Sequence, residues 1–364
     1  MPDNWFAFLF KEKAPSSNIK IIRTVDKLKL IYDEPRVGAR PFMPLMDVDD
    51  LKMYYRTSEG WVRAVDGLSF SLDSGRGLGV VGESGCGKTS IAITLMKILP
   101  RNARIFGGKM IFDGKDLVPM SETAMREEVR WRGISLIFQG AMNALNPVFR
   151  IDDQIVEAIQ LHEPNVTKKE AKDRISKLFE LVGVDPSRAS NYPHEFSGGM
   201  KQRACIAMAL ACNPKMLISD EPSTALDVII AAQILKLLRE LKEKLNLAMM
   251  VISHDLSIVT ETCEEAAIVY AGRVAEFGDI VRIFKDPLHP YTQGLLSAFP
   301  SIKAQKTRLI SIPGSPPDLT KPPPGCRFNP RCRYAMEVCR KRVPKLIETE
   351  KEHFAACHLV NPIN

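Results

Sequence analysis

The feature that most constrains the fold of this chain is one short loop, Gly82-Glu-Ser-Gly85-Cys86-Gly87-Lys88-Thr89. It fits G-x-x-x-x-G-K-[ST], follows an apolar run from Leu78 to Val81 and opens a helical pattern over Thr89 to Leu99, which is the context the motif requires. Its glycines let backbone N–H groups curl around a phosphate. Those amides and the positive end of the helix stabilise a β-phosphate, Lys88 reaches β and γ oxygens, and the Thr89 hydroxyl can ligate Mg²⁺. A chance Gly-rich turn is the rival reading, and the strand and helix on either side make it the weaker one. Cys86 reads as a small loop residue rather than a reactive thiol. A strand feeding such a loop and helix predicts an α/β core.

At 364 residues the chain has room for one large core and a smaller appendage, since single cores rarely exceed ~250–300 residues. No run approaches the ~20 apolar residues that cross a bilayer; the strongest are short, such as Ala248 to Ile252. Trp5 to Phe10 is apolar, but Asp3 precedes it and no small-residue cleavage site follows, so a signal peptide is disfavoured and a cytosolic address expected. The net charge of +7 comes from Lys and Arg interspersed with acids, which describes a solvated mixed surface rather than a nucleic-acid-binding stripe.

Residues 1–45 carry no readable motif, and Met43 and Met46 precede the first strand pattern, so this stretch is either a true extension or a misplaced start. Strand patterns cover Leu51 to Tyr55 and Leu68 to Leu72. Helical patterns cover Ser121 to Trp131, Asp152 to Leu161 and Lys168 to Val182, the last opened by Thr167-Lys-Lys-Glu170, a capping box. Two short apolar runs, Met216 to Ile218 and Ala248 to Ile252, flank a helix pattern from Ala225 to Lys244. Strand, helix, strand implies parallel pairing with functional groups at the strands' C-terminal ends. Beyond Asp286, ten of the chain's 25 prolines fall between Pro287 and Pro330, predicting a linker and a loop-rich module with no core of its own.

Asp220 and Glu221 close the run Met216-Leu-Ile-Ser-Asp-Glu. Alone, Asp-Glu-Pro could simply end a strand; beside a phosphate loop, Asp220 can hold Mg²⁺ and Glu221 can deprotonate an attacking water. The segment Phe196-Ser197-Gly198-Gly199-Met-Lys-Gln202-Arg203 then resembles the signature sequence of ABC ATPases in their oligopeptide-transporter form. The resemblance covers about residues 47–360.

It implies a P-loop NTPase of RecA-like core (46–285), with an antiparallel β-subdomain, a helical subdomain around 140–205, and a small Cys-containing C-terminal extension (286–364). It implies ATP at Gly82, Gly85, Cys86, Gly87, Lys88, Thr89 and Ser90, with Tyr55 stacking on adenine and Trp61 as a second candidate for that role. Core packing is the rival reading for Tyr55. It makes Gln139 the Q-loop residue and a magnesium contact beside Thr89 and Asp220. His254, in Ile252-Ser-His-Asp, becomes the switch histidine and Asp227 the D-loop acid. Ser197, Gly198, Gly199 and Gln202 are implied to contact ATP held by an opposite subunit. Partners follow in the same way: a second ATPase, related but non-identical, two integral membrane permease subunits and, indirectly, an extracellular solute-binding protein, with this chain at the cytoplasmic face of the membrane.

A homodimer stays open, as does the solute, peptide or oligosaccharide. A soluble ABC ATPase working on ribosomes or DNA is a different class, disfavoured because one phosphate loop is present and Lys88 to Ser197 spans only 109 positions. In a third class, a redox or metal sensor, the tail would be the working unit.

Cys326-x5-Cys332-x6-Cys339-x17-Cys357 supplies four soft ligands in the Pro-rich tail. Spacing alone leaves zinc, an iron–sulfur cluster or four free thiols open. The resemblance adds Asp286-Pro-Leu-His-Pro-Tyr-Thr and Gly325-Cys-Arg-Phe, which look like the C-terminal region of dipeptide and oligopeptide importer ATPases, some of which bind a [4Fe–4S] cluster. His358, beside Cys357, is expected to be a bystander.

Overall fold

The computed structural model describes residues 43–297 and 312–360, so all but the end of the expected 1–45 extension lies outside it. The strands, in chain order, are β1 (Met46–Thr57), β2 (Gly60–Leu72), β3 (Gly77–Val81), β4 (Ala103–Phe112), β5 (Lys115–Asp116) and β6 (Ile134–Ile137). They continue with β7 (Met216–Asp220), β8 (Ala248–Ser253), β9 (Glu265–Tyr270), β10 (Arg273–Asp279), β11 (Ile347–Glu350) and β12 (His353–Ala355).

Two sheets result. The smaller, in the order β2-β1-β4-β5, is antiparallel throughout, as expected of the β-subdomain. Its residues alternate as a one-sided sheet requires: Leu68, Phe70 and Leu72 on β2 are buried, with partly exposed neighbours between them.

The larger sheet runs β11-β12-β10-β9-β3-β8-β7-β6, and its β9, β3, β8, β7 and β6 are parallel. Strands β3, β7 and β8 are buried along their whole length. Helices cover both faces of a parallel sheet, which explains why these strands read as continuous apolar runs rather than alternation. Register then does the functional positioning. Val81 lies opposite Ser253 and Asp220 opposite Ile252, so the loops leaving β3, β7 and β8 emerge side by side.

The principal helices are α1 (Lys88–Leu95), α2 (Ile151–His162), α3 (Lys168–Leu181), α4 (Gly198–Ala209) and α5 (Val228–Leu245). The capping box of α3 is present: Thr167 N–H donates to Glu170 Oε2 at 2.8 Å, and Glu170 N–H to Thr167 Oγ1 at 3.3 Å. Helix α5 begins at Val228, not Ala225, because Asp227 caps it by accepting the Ile230 N–H at 2.9 Å.

Helix α1 stops at Leu95, short of the expected Leu99. Lys97 turns left-handed (φ +49°), and its ammonium is drawn to the carbonyls of Leu117, Val118 and Met120 at 3.0, 2.9 and 2.5 Å. Arg130 caps the carbonyls of Met96 and Lys97 at 2.9 and 2.8 Å. Tertiary partners, not local propensity, end the helix. The segment 121–131 is likewise no single helix: Glu122–Ala124 passes into a π-turn over Met125–Val129.

The tail packs on the main body. It is rich in loops, but Tyr291, Phe328 and Phe354 are buried and β12 pairs with β10 of the main sheet. The Tyr291 and Phe328 rings pack on Tyr270 with centroids 4.6 and 5.1 Å apart. Too few apolar residues stand there to form a second core, so they complete the first. Glu276 on β10, wholly buried, fastens them by accepting from Leu288 N–H (2.9 Å), His289 N–H (2.9 Å) and His353 Nε2 (2.7 Å). Removing one partner of such a buried polar set costs on the order of 3–5 kcal/mol.

Candidate functional site

The loop between β3 and α1 has a shape that admits no side chain at Gly87. Its φ is +105°, and an added Cβ would lie 2.1 Å from the Ala64 carbonyl oxygen. Lys88, 8% exposed, spans the loop by donating to the carbonyls of Gly82 (2.7 Å) and Glu83 (3.0 Å). Burial raises the pKa of the Cys86 thiol against the opposing charge of Lys88, keeping it protonated and inert, consistent with a packing role.

Thr89 Oγ1 donates to Asp220 Oδ2 at 2.7 Å. Asp220 is 1% exposed; burial raises its pKa above the usual carboxylate value, while the Thr89 bond opposes that rise. Its other oxygen, Oδ1, is buried with no hydrogen-bond partner. An orphaned buried carboxylate oxygen beside a hydroxyl is a donor set that fits a hard divalent cation such as Mg²⁺.

Glu221 sits immediately beyond β7 with a left-handed backbone, φ +53°, held by its N–H donating to Ile252 O at 2.9 Å. A non-glycine residue in that region costs on the order of 1–3 kcal/mol, a strain that functional sites concentrate. The carboxylate is oriented by two neighbours. His254 Nδ1, just beyond β8, lies 2.8 Å from both oxygens, and Thr224 Oγ1 donates to Oε2 at 3.1 Å. The imidazole is 65% exposed, so it meets whatever enters.

Lys88, Thr89, Glu221 and His254 share one cavity of about 520 Å³ with Tyr55, Gly85, Gly87, Ser90 and Gln139, while Asp220 stands behind Thr89 and is not part of the lining. The Tyr55 hydroxyl is 3.1 Å from Ser90 Oγ, so its ring stands at the cavity wall. Trp61 instead packs edge-on against Phe106 at 4.8 Å and is not part of the lining. Gly82 and Cys86 are not part of it either; they pack behind the loop.

The residues Ser197, Gly198 and Gly199 belong elsewhere, at the start of α4. Ser197 Oγ accepts the Met200 N–H at 3.4 Å, and a Cβ on Gly199 would meet Ile230 of α5 at 2.7 Å. Asp227, at the start of α5, is exposed. Gln202, grouped with the signature by sequence, is 4% exposed: one helical turn further along α4 it faces its own chain and has little surface to offer a second subunit.

Sequence reading missed several contributors. Val62, Ala64, Ser84 and Leu319 also line the cavity. Glu83, inside the loop, is held by the tail: Arg331 donates to both its oxygens (2.6 and 2.9 Å), and its N–H donates to the Tyr291 hydroxyl at 2.8 Å. No local pattern announces contacts between residues so far apart in sequence.

The four tail cysteines, all free thiols, line a second, small cavity together with His358 and Tyr334. Burial pushes Cys326 up to about 11 and raises Cys332 and Cys357 as well. Among the described residues no three His, Cys, Asp or Glu side chains are grouped as one metal ion would need.

A phosphate loop between strand and helix, facing an acid at the end of a parallel strand, defines a P-loop nucleotide hydrolase. Comparison with known proteins sharpens the class. The family described as ABC transporter matches residues 65–224, and the one described as oligopeptide/dipeptide transporter, C-terminal region, matches 275–339. The chain is 46% identical over 323 residues to a probable peptide ABC transporter ATP-binding protein, y4tR, of Sinorhizobium fredii, covering 88% of this chain and 96% of that one. It is 44% identical over 322 residues to the oligopeptide transport ATP-binding protein OppD of Bacillus subtilis, covering 87% and 89%. An ATP-binding cassette solved as a dimer in a post-hydrolysis state with ADP and Pi matches with a TM-score of 0.57 at 21% identity, over 65% of this chain and 98% of that one, which shows the shared fold. The chain belongs to the ABC transporter family, among its oligopeptide and dipeptide transport ATP-binding proteins.

Proposed function

We propose that this chain hydrolyses ATP to drive uptake of peptides through partner membrane subunits. The observation that carries this reading is the hydrogen-bonded pair Glu221–His254 at the wall of the phosphate-loop cavity, in a chain whose relatives are named for peptide transport. Those names favour peptides over oligosaccharides as the solute.

Within the site, the loop amides and Lys88 bind the phosphates, and the Tyr55 face takes the adenine, a stack worth on the order of 1–3 kcal/mol by analogy with other bases. Glu221 takes a proton from the attacking water, and His254 stabilises the γ-phosphate as charge builds. Thr89, Asp220 and Gln139 would hold Mg²⁺, which when bound neutralises phosphate charge. Ser197, Gly198 and Gly199 serve the ATP of a second, related but non-identical ATPase subunit; Val228 and Ile229, 80% and 72% exposed beside Asp227, offer apolar surface for that subunit.

The membrane subunits dock beside Gln139. An apolar cavity of about 650 Å³ opens there, lined in part by Phe138, Leu145, Phe149 and Leu161. Phe138, Phe149 and Leu161 are 47%, 55% and 67% exposed, more apolar surface than an unpartnered face usually carries. Among the described residues no helix is long and apolar enough to cross a membrane; attachment to permeases at the cytoplasmic face is the location that goes with this reading. Co-purification from the native membrane tests the reading: two integral subunits, a second ATPase and a peptide-binding protein are expected. A sugar-binding protein in their place, or ribosomes, would overturn it.

The four tail cysteines are the proposed seat of a [4Fe–4S] cluster. What supports the reading is the donor set: four soft sulfur ligands face one small cavity, and four cysteines are what such a cluster requires. Such a cluster would cross-link a segment otherwise held by few apolar contacts. Anaerobic purification should yield about four iron and four labile sulfide per chain; one zinc per chain, or no metal, would sink the assignment.

A further inference from the structure

We propose that Arg331 is a positioning residue of the phosphate loop, neutralising Glu83 so that the loop can accept phosphate, and that through it the cysteine-bearing tail sets the affinity for nucleotide. The proposal rests on the reading of residues 82–89 as the ATP site.

Glu83 is an acid in the second position of a loop whose amides receive an anion. Left free, its charge would repel phosphate across a partly desolvated site, where such repulsion is strong. Arg331 cancels that charge with a two-point fork, 2.6 Å to Oε2 and 2.9 Å to Oε1, a geometry a lysine cannot reproduce. The guanidinium is itself fixed. Its side chain is 5% exposed, Nε donates to Pro313 O at 2.8 Å, and its carbon lies 5.7 Å from the centre of the Tyr270 ring. Nothing in the ATP chemistry described above uses this bond.

Arg331 directly precedes Cys332, and Arg327 directly follows Cys326. The second arginine is also buried and donates to Asp66 Oδ2 at 2.5 Å and to the carbonyl of Ala271. Asp66 N–H donates to Gly272 O at 2.8 Å, and Gly272 N–H to Cys86 O at 2.8 Å. The short turn from Cys326 to Cys332 thus holds the phosphate loop directly at Glu83 and, through Asp66 and Gly272, indirectly at Cys86. Whatever fixes those two cysteines fixes both arginines.

The test measures the dissociation constant of a fluorescent ATP analogue, together with kcat and KM for ATP, on the full chain. Arg331→Met should weaken binding roughly tenfold to a hundredfold, with kcat at saturating ATP close to wild type. Adding Glu83→Gln to that variant should restore affinity, because no charge then needs cancelling; a merely structural arginine would not be rescued. If Arg331→Met alone does not fold, the double variant, neutral at both positions, still tests the idea by binding as wild type does. Cys326→Ser with Cys332→Ser, which loosens both arginines, should weaken binding in the same direction and at least as much as Arg331→Met. Unchanged affinity in Arg331→Met, weak binding by the double variant, or unchanged affinity in the cysteine variant would overturn the proposal. Wild-type chain that binds no nucleotide would instead overturn the ATP-site reading.

Discussion

Glu221→Gln is expected to lower ATP turnover roughly 10²–10⁴-fold, the usual scale for removing a general base, while nucleotide binding stays near wild type. The substitution keeps the side chain's shape and one acceptor oxygen, so His254 Nδ1 and the Thr224 hydroxyl, now 2.8 and 3.1 Å from the carboxylate, each retain a partner. The left-handed backbone at φ +53° is set by the Ile252 carbonyl and the strand end, not by the carboxylate, so the loop should not relax. What disappears is the basic oxygen. Phosphate release and the affinity for a fluorescent ATP analogue, measured on the same preparation, separate the two effects. Undiminished turnover would remove Glu221 from the role of base, and turnover lost together with binding would mean that the substitution disturbed the fold of the site.

Which parts of this architecture could be read in advance follows from the range over which the deciding forces act. The phosphate loop was legible because its requirements are local: glycines for a backbone that must curl, a strand before, a helix after. The capping box at Thr167 and Glu170 was legible for the same reason, both partners lying within one helical turn. Strands β7 and β8 could be placed because burial on both faces leaves an unbroken apolar run. The end of α1 was not legible, since Lys97 is turned by carbonyls 20 or more residues away. Gln202 was grouped with its neighbours by sequence, whereas helical periodicity carries it to the buried side of α4. The hold of Arg331 on Glu83 joins residues 248 apart, which no window along the chain can anticipate. The tail illustrates the general difficulty. Its proline content correctly signals loops, but the same few aromatic side chains that could never form a core alone are enough to finish one already present.

Lys88→Ala should abolish measurable nucleotide binding. The ammonium is buried at 8% exposure and, by the two loop carbonyls it spans, is held where loop amides and the end of α1 converge. Hydrogen bonds from a charged donor contribute about 1.5–3 kcal/mol each, and two of them to phosphate oxygens correspond to roughly 10²–10⁴ in affinity. The fold should survive, because alanine leaves the loop glycines and their left-handed turns untouched. Lys88→Arg separates charge from shape: the guanidinium keeps the charge, but its planar fork is bulkier than the ammonium and cannot sit in the same slot. It should therefore bind nucleotide far more weakly than wild type, though the net charge is unchanged. Equilibrium titration with the fluorescent analogue, alongside a thermal unfolding midpoint to show that the chain remains folded, decides between the possibilities. Full ATP affinity in Lys88→Ala would count against the assignment of the whole site, since no other buried cation borders the cavity among the described residues.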